Sequence, residues 1–129
     1  MTVGISGVNL ANKVLDTITR TGTAPTAGTV YVKLHTGDPG SAGTSNASGV
    51  TTRSAATFGS AASGGVGTMT NTPSWSMTGT ETISHISLWD ASSAGNFLWS
   101  VALTASKSVS NGDTLNLSSL TLTFTPIAA

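Results

Sequence analysis

ETISHISLWDASSAGNFLWSVALTASKSVSNGDTLNLSSLTLTF, residues 81–124, is the stretch with the densest and most regular apolar content in this chain. Within it, apolar side chains recur at every second position over 97–103, which is the period of a β-strand. Another apolar run covers 83–89, and the residues between the two runs are rich in turn formers. The pattern predicts two neighbouring antiparallel strands. We expect the following side chains to face the core: Phe97, Trp99, Val101 and Leu103.

The end of this stretch contains a turn and a change of phase. Asn111-Gly112-Asp113 predicts a tight turn, because these residues tolerate positive φ angles. Apolar residues then alternate at 115 and 117, and again at 120, 122 and 124 in the opposite phase. A one-residue slip would turn every later side chain to the other face of the sheet. We therefore expect a bulge or a short break at Ser118-Ser119.

Composition and charge limit the classes of function. The 129 residues predict one domain that buries a core without disulfides or metals. Five Lys or Arg residues balance five Asp or Glu residues, so the net charge is zero. A neutral chain lacks the basic surface that binds nucleic acid or an anionic membrane. A neutral surface rich in Ser, Thr and Gly favours packing into an assembly over a free monomer.

The sequence contains no cysteine, which excludes disulfides, thiolate catalysis and cysteine-based zinc sites. The opening residues, MTVGISGVNL, have neither a basic region nor a long apolar region, so we expect no signal peptide. No run approaches the roughly 20 apolar residues that a membrane helix requires. We therefore expect a soluble protein.

Residues 4–20 are the one helical candidate, because apolar side chains recur there at three- and four-residue spacing. Ser6 is the expected N-cap and Gly22 the expected stop signal. Our interpretation is that the helix lays its apolar stripe over one face or end of the sheet. The alternative is an arm that docks on a partner subunit. The stripe consists of Val8, Ala11, Val14, Leu15 and Ile18.

The middle of the chain alternates short strands with polar connectors. Period-2 alternation predicts a half-buried strand at 30–35, followed by a type II turn centred on Pro39 and Gly40. Residues 41–54 are nearly all small and polar and predict a long exposed loop. Residues 60–67 predict a second connector. Shorter strands are expected at 57–58 and 73–77.

This order of elements predicts a mainly β fold, an antiparallel β-sandwich or barrel-like domain with one N-terminal α-helix. Within a single domain, we expect an N-terminal helix or arm at 1–28 and the antiparallel β domain at 29–129.

Two histidines and five acidic residues are the whole inventory for acid–base or metal chemistry. His35, Asp38, His85 and Asp90 could meet around a metal, but no ligand-spacing motif supports one, so we favour histidines hydrogen-bonded on strand faces. The sequence has no Gly-x-Ser-x-Gly nucleophile elbow and no phosphate-binding glycine pattern that opens a helix. We expect no enzymatic activity and no catalytic, cofactor-binding or metal site.

The three tryptophans, Trp75, Trp89 and Trp99, admit two interpretations. Exposed beside long loops, they would form the sugar-stacking surface of a carbohydrate-binding module. Because all three lie in apolar strand runs, we favour core positions. The binding module stays open as an alternative of a different class.

Four blocks of the sequence resemble a family of small virion proteins from tailed bacteriophages, often labelled tail-fibre or minor tail proteins. The resemblance implies a phage particle component with a β-rich fold and no enzymatic activity, and it brings no set of functional residues. The blocks are VYVKLHTGDPG at 30–40, TR leading to ATF at 52–58, ISHISLWDA at 83–91 with Gly95 and LWS at 98–100, and GDTL at 112–115.

We expect a non-enzymatic virion protein, with capsid decoration or a minor capsid role first. A fibre needs length from a coiled coil or repeats, and the sequence shows neither. A tail-associated or fibre protein is the alternative. The expected partners are the major capsid protein or other virion proteins and further copies of this chain, as homo-oligomers and specifically trimers on a shell. We expect the protein to bind no nucleic acid, membrane or cofactor. We expect it to be located in the virion, after assembly in the host cytoplasm.

Overall fold

The computed structural model describes residues 3–22, 28–61 and 64–123. This part of the chain is mainly β with a single helical segment at its N-terminal end, which confirms the predicted fold class. A π-helical turn, Gly7–Ala11, continues as α1 (Asn12–Thr19). The strands are β1 (Val30–His35), β2 (Ser54–Ala56), β3 (Val66–Thr68), β4 (Ser74–Ser76), β5 (Glu81–Trp89), β6 (Phe97–Val109), β7 (Thr114–Asn116) and β8 (Thr121–Thr123).

A four-stranded antiparallel sheet with the order β2-β1-β5-β6 forms the centre of the molecule. Two-stranded ribbons, β3-β8 and β4-β7, complete the strand pairing. The free edge of β6 is covered by the N-terminal segment, where Ile5 bridges to Trp99. The amide of Ser100 donates to the carbonyl of Gly4 at 2.8 Å, and that of Ser6 donates to the carbonyl of Leu98 at 2.7 Å. The N-terminal segment therefore lies beside the sheet as a fifth extended chain.

The hydrophobic core lies between one face of this sheet and the two ribbons. Val32 and Leu34 of β1 pair with Leu88 and Ile86 of β5, so these four side chains share a face. All four are buried, and they form one cluster with apolar side chains from the ribbons and the turns beside them. The layering is that of a small sandwich. The cluster's buried members from outside the sheet include Met69, Trp75, Met77 and Leu120.

The prediction that Phe97, Trp99, Val101 and Leu103 share the core face is wrong for Phe97. Leu88 pairs with Trp99, but its neighbour Trp89 pairs with Phe97, so β6 has an extra residue, Leu98, at this point. The bulge places Phe97 on the face opposite Trp99. Trp99, Val101 and Leu103 do pack against the core, each only partly buried.

The predicted turn and break near the C-terminal end are both confirmed. Gly112 has a φ of +88°, the conformation that the Asn-Gly-Asp sequence predicts. The break lies between β7 and β8, which pair with different ribbon partners. The phase change therefore marks the place where the chain crosses from one ribbon to the other. Phe124 lies outside the described residues, as does the junction at 23–27.

The loop predicted as exposed at 41–54 is partly buried. Gly40 has the predicted positive φ, +74°, but Gly43, Ser48 and Val50 beyond it are buried. The loop ends in β2, which begins at Ser54. Small polar residues suggested exposure, but their backbone groups instead bond to one another and to β1. Likewise, the predicted strand at 57–58 reduces to a bridge between Phe58 and Met69, and the predicted connector at 60–67 runs into β3.

The helix begins after the predicted N-cap, but its apolar stripe does not lie on the sheet as predicted. The hydroxyl of Ser6 accepts a hydrogen bond from the amide of Asn9 at 3.2 Å, which confirms the N-cap. No helical residue is buried, and Val8 and Ile18 are each 75% exposed. The interpretation that the stripe lies on the sheet is therefore wrong. Among the described residues, no helix is both long and apolar enough to cross a bilayer.

Candidate functional site

The face of the central sheet that points away from the core carries a buried polar site. Side chains alternate along β1 and β5, so His35 and Ser87 lie opposite the core residues beside them. Both have 0% exposure. Trp89 and Phe97 lie on the same face with ring centroids 5.8 Å apart. This second buried cluster is separate from the main core.

Three side chains form a hydrogen-bond chain whose proton positions follow from chemistry. Nδ1 of His35 lies 2.8 Å from the Ser45 carbonyl, which can only accept, so Nδ1 carries the proton. Nε2 of the neutral ring then accepts from the Ser87 hydroxyl at 2.7 Å. The Ser87 oxygen in turn accepts from the Trp89 indole nitrogen at 2.8 Å. Each side-chain polar atom in this row of hydrogen bonds therefore has a partner of the right type.

The environment keeps His35 neutral. Burial lowers the pKa of His35 below its ordinary value of 6.5, and the positive charge of Lys33 acts in the same direction. The hydrogen bond to the Ser45 carbonyl raises the pKa but does not outweigh burial. A protonated ring would also leave the Ser87 hydroxyl proton without its acceptor. The network and the neutral imidazole therefore support each other.

Ser87 and His35 have the spacing of a nucleophile and its base, with a backbone carbonyl in the place of the orienting acid. Neither side chain is accessible, and the Ser87 oxygen already accepts from Trp89. A substrate carbonyl cannot reach that oxygen in this conformation. The arrangement is suited to holding β1, β5 and the loop at 36–50 together.

The loop at 36–50 covers the polar site and is itself fixed at several points. The carboxylate of Asp38 accepts from the amide of Gly40 at 2.8 Å, and the amide group of Asn46 donates to the Asp38 carbonyl at 2.9 Å. Gly43 lies against the ring of Phe97, where an added Cβ would come within 2.3 Å of Cδ2. At this close approach only glycine fits, and its φ of +70° favours glycine as well.

Glu81 holds the far end of the same loop. One carboxylate oxygen accepts from the Ser48 hydroxyl, and the other accepts from the amide of Gly49 at 3.1 Å. The loop is therefore bonded to β1 through His35 and to β5 through Glu81.

Arg53 fixes the hairpin that joins β5 to β6. Its Nη1 donates to the carbonyls of Ala91 and Ala94 at 2.8 and 2.7 Å, and its guanidinium carbon lies 3.9 Å from the centroid of Trp89. Burial lowers the pKa of Arg53, while the nearby Asp90 carboxylate raises it. Burial and the charge of Arg53 also lower the pKa of Lys33.

Asp90 organises the same hairpin from the other side. It accepts from the backbone and side-chain nitrogens of Asn96 at 2.6 and 2.8 Å. Burial raises the pKa of Asp90, but these hydrogen bonds and the charge of Lys13 outweigh burial, and the pKa lies below its usual value. Asp90 is thus an ionised acceptor that caps the hairpin.

The four residues considered for a metal do not converge. His35 and His85 are cross-strand neighbours, but Asp38 and Asp90 are bonded within separate loops. Within residues 3–22, 28–61 and 64–123, no three potential ligands are grouped. Sequence reasoning missed Ser87 and Arg53; the shared phase of positions 85, 87 and 89 could have indicated the first.

A groove of about 400 Å³ lies between the helical segment and the central sheet. Trp99 contributes a partly buried indole to it. Trp75 is buried in the main core, as predicted, whereas Trp89 is buried on the opposite face of the sheet. The groove's polar side chains come from both walls. They are Asn9, Lys13, Asp90 and Asn96.

Comparison with known proteins identifies a matching family. A family model described as Podophage GP4 fiber I protein gp80 matches residues 6–125, nearly the whole chain. The chain belongs to this family. Membership in the fiber I family confirms the resemblance to virion proteins of tailed phages, and it supports a non-enzymatic component located in the virion. No curated protein matches the chain.

Proposed function

We propose that this chain is a structural subunit of a phage fibre, in which a compact β domain serves as a rigid building unit. The observation that carries the proposal is the match to the fiber I family over residues 6–125. We place the fibre role ahead of capsid decoration, the first choice on sequence grounds, because the family's description names a fibre.

The architecture supports a structural unit with its polar groups used internally. Arg53, Glu81 and Asp90 are all bonded to backbone groups of the loops beside them. Within the described residues, no buried side-chain polar atom lacks a hydrogen-bond partner. Such a domain resists deformation, which suits a component that must keep its shape within a particle.

Capsid decoration is the competing role, and the copy number separates the two. A shell covered by repeated weak contacts needs on the order of hundreds of copies. A symmetric fibre needs far fewer copies, about three or six or a small multiple of these numbers.

The experiment counts and locates the protein in purified particles. Quantitative mass spectrometry gives the copy number, and electron microscopy of particles labelled with an antibody gives the position. We expect a low copy number and label on fibres. Hundreds of copies spread over the shell would replace the fibre role by decoration, and absence from washed particles would overturn a virion role altogether.

Sugar binding is a second candidate function, favoured by Trp99 in the groove beside Asn9 and Asp90. An aromatic ring with amide and carboxylate groups is the kind of surface on which a sugar stacks and hydrogen-bonds. Titration with soluble oligosaccharides should then change tryptophan fluorescence, and Trp99→Phe should reduce the change. A flat titration with host-derived oligosaccharides would remove this candidate.

A further inference from the structure

The helical segment lines the groove against the domain with Asn9, Leu10 and Lys13, and it leaves three apolar side chains of its stripe exposed to the surroundings. The side-chain amide of Asn9 donates to the Phe97 carbonyl at 2.9 Å, and Lys13 lines the groove and acts electrostatically on Asp90. The apolar residues Val8, Leu15 and Ile18 are exposed by 57% to 75%. An amphipathic helix normally buries its apolar stripe.

The N-terminal anchor explains this orientation. Residues 4–6 pair with β6, and this pairing fixes where the helix starts and how it is rotated. The stripe is therefore held outward by main-chain hydrogen bonds, before any partner arrives.

The spacing of the stripe is that of a helix–helix seam. Val8, Ala11, Leu15 and Ile18 are separated by three, four and three residues. As sequence spacing, this is the a and d pattern of a coiled coil, with Leu15 at a and Ile18 at d in α1 and with Val8 and Ala11 in the π-helical turn before it. A helix that covers a sheet usually has a broader stripe.

The flanks of the seam permit contact between identical helices. Charged residues lie elsewhere on the helix, at Lys13, Asp16 and Arg20, and Arg20 pairs with Asp16 at 3.9 Å. Copies that meet along the seam therefore bring no like charges together. The flanking e and g positions are Gly7, Asn12, Val14 and Thr19.

We propose that this helix packs in parallel against the same helix of other copies of the chain, around a common symmetry axis. Leu15 at a with Ile18 at d favours three or four helices over two. The inference deepens the proposed function, because it names the contact through which fibre subunits would join. The role of this contact in a fibre rests on the proposed function. Self-association itself does not, because it is a property of the chain alone.

The seam is short, and its length limits the strength of the association. Residues 7–19 span about 20 Å of helix, and helices this short are marginal when isolated. One helix offers less than the roughly 800 Å² per partner of a typical stable complex. In a bundle of three, each helix is covered from two sides. We therefore expect assembly that depends on protein concentration.

The first experiment measures mass in solution by sedimentation at increasing concentrations of the whole chain. Wild type should approach a small multiple of 12.8 kDa, and Leu15→Glu should stay monomeric. Thr17→Glu adds the same charge to an exposed position off the stripe and should behave as wild type. Because neither residue is buried, both variants should keep the wild-type circular dichroism spectrum. A wild-type chain that stays monomeric up to about 1 mM, a concentration that captures even weak pairs, would overturn the proposal.

The second experiment tests the direction of packing. The chain has no cysteine, so a single introduced thiol reports only on self-contact. In a parallel bundle, equivalent a positions meet, and Leu15→Cys should form disulfide-linked dimers under mild oxidation, whereas Thr17→Cys should not. An oligomer of wild-type mass in which neither position cross-links would overturn the seam. A chain found in particles but monomeric in solution would sink this inference and leave the virion role standing.

Discussion

Both faces of the central sheet carry buried side chains, and the two faces bury them by different means. The core face is closed by apolar side chains such as Val32, Leu34 and Ile86, which pack against the ribbons. The other face buries His35 and Ser87 beneath the loop at 36–50, where hydrogen bonds act beside the packed rings of Trp89 and Phe97. Apolar packing tolerates small errors of position, whereas a buried polar network fails if one partner is missing.

The core face therefore sets most of the stability, and the polar face sets the position of the loop. Substitutions on the two faces should therefore differ in size and in what they disturb.

The largest effect is expected on the core face. Leu34→Ala removes a side chain that is 2% exposed at the centre of the main cluster. The lost burial and the resulting cavity should lower the free energy of unfolding by ~2–5 kcal/mol. Urea denaturation measures the loss, and Leu34→Met should cost less than about 1.5 kcal/mol. A loss below 1 kcal/mol for the alanine variant would mean that the ribbons do not close over this face.

A smaller but specific loss is expected on the polar face. Ser87→Ala leaves His35 Nε2 without its donor and the Trp89 indole without its acceptor. A buried polar group left without a partner costs about 1–3 kcal/mol. Ser108→Ala, on an exposed part of β6, is the matched control and should be neutral in urea denaturation. Equal midpoints for the two variants would show that the network contributes nothing.

The polar face should also make stability depend on pH. The folded state lowers the pKa of His35 through burial, so the folded chain binds a proton less readily than the unfolded chain, whose histidine titrates near 6.5. The stabilisation is complete above that value and is lost as the pH falls below it.

Thermal unfolding between pH 7.5 and 5 therefore should show a falling midpoint for wild type. His35→Gln, which cannot titrate, should be less stable at neutral pH and should lose most of the slope. A slope that persists unchanged in His35→Gln would assign the pH dependence to another group.

The core face could be predicted from sequence because its signal is local. Period-2 apolarity in β1 and β6 and the apolar run in β5 identified the strands, and the phase change before Leu120 located the break between ribbons. Turn chemistry predicted the positive φ of Gly40 and Gly112. Each of these depends on neighbours within a few residues.

The polar face could not be predicted in the same way, because its burial depends on groups distant in sequence. Ser45 and Ser87 are indistinguishable by residue type from the other serines, and only the fold brings both to His35. The bulge at Leu98 likewise depends on the register between two strands and leaves regular alternation in the sequence. The helix stripe was visible, but its direction is set by the pairing of residues 4–6 with β6.

The smallest effect separates loop fixation from core stability. Arg53→Lys keeps the charge but replaces a planar guanidinium, which donates to two carbonyls and stacks on Trp89, by a flexible ammonium. A cation–π contact is worth about 0.5 kcal/mol when exposed and about 2 kcal/mol when desolvated, and lysine keeps the positive charge, so the urea midpoint should move only slightly. The local effect should be clearer. The Asn96 amide, which is bonded to Asp90 within the hairpin, should exchange hydrogen for deuterium faster, while amides of β1 should keep their protection. Arg20→Lys alters only an exposed ion pair and should change neither reading. If Arg53→Lys instead loosens the loop at 36–50 as much as the hairpin, Arg53 supports the whole polar face, and the two loops must open together.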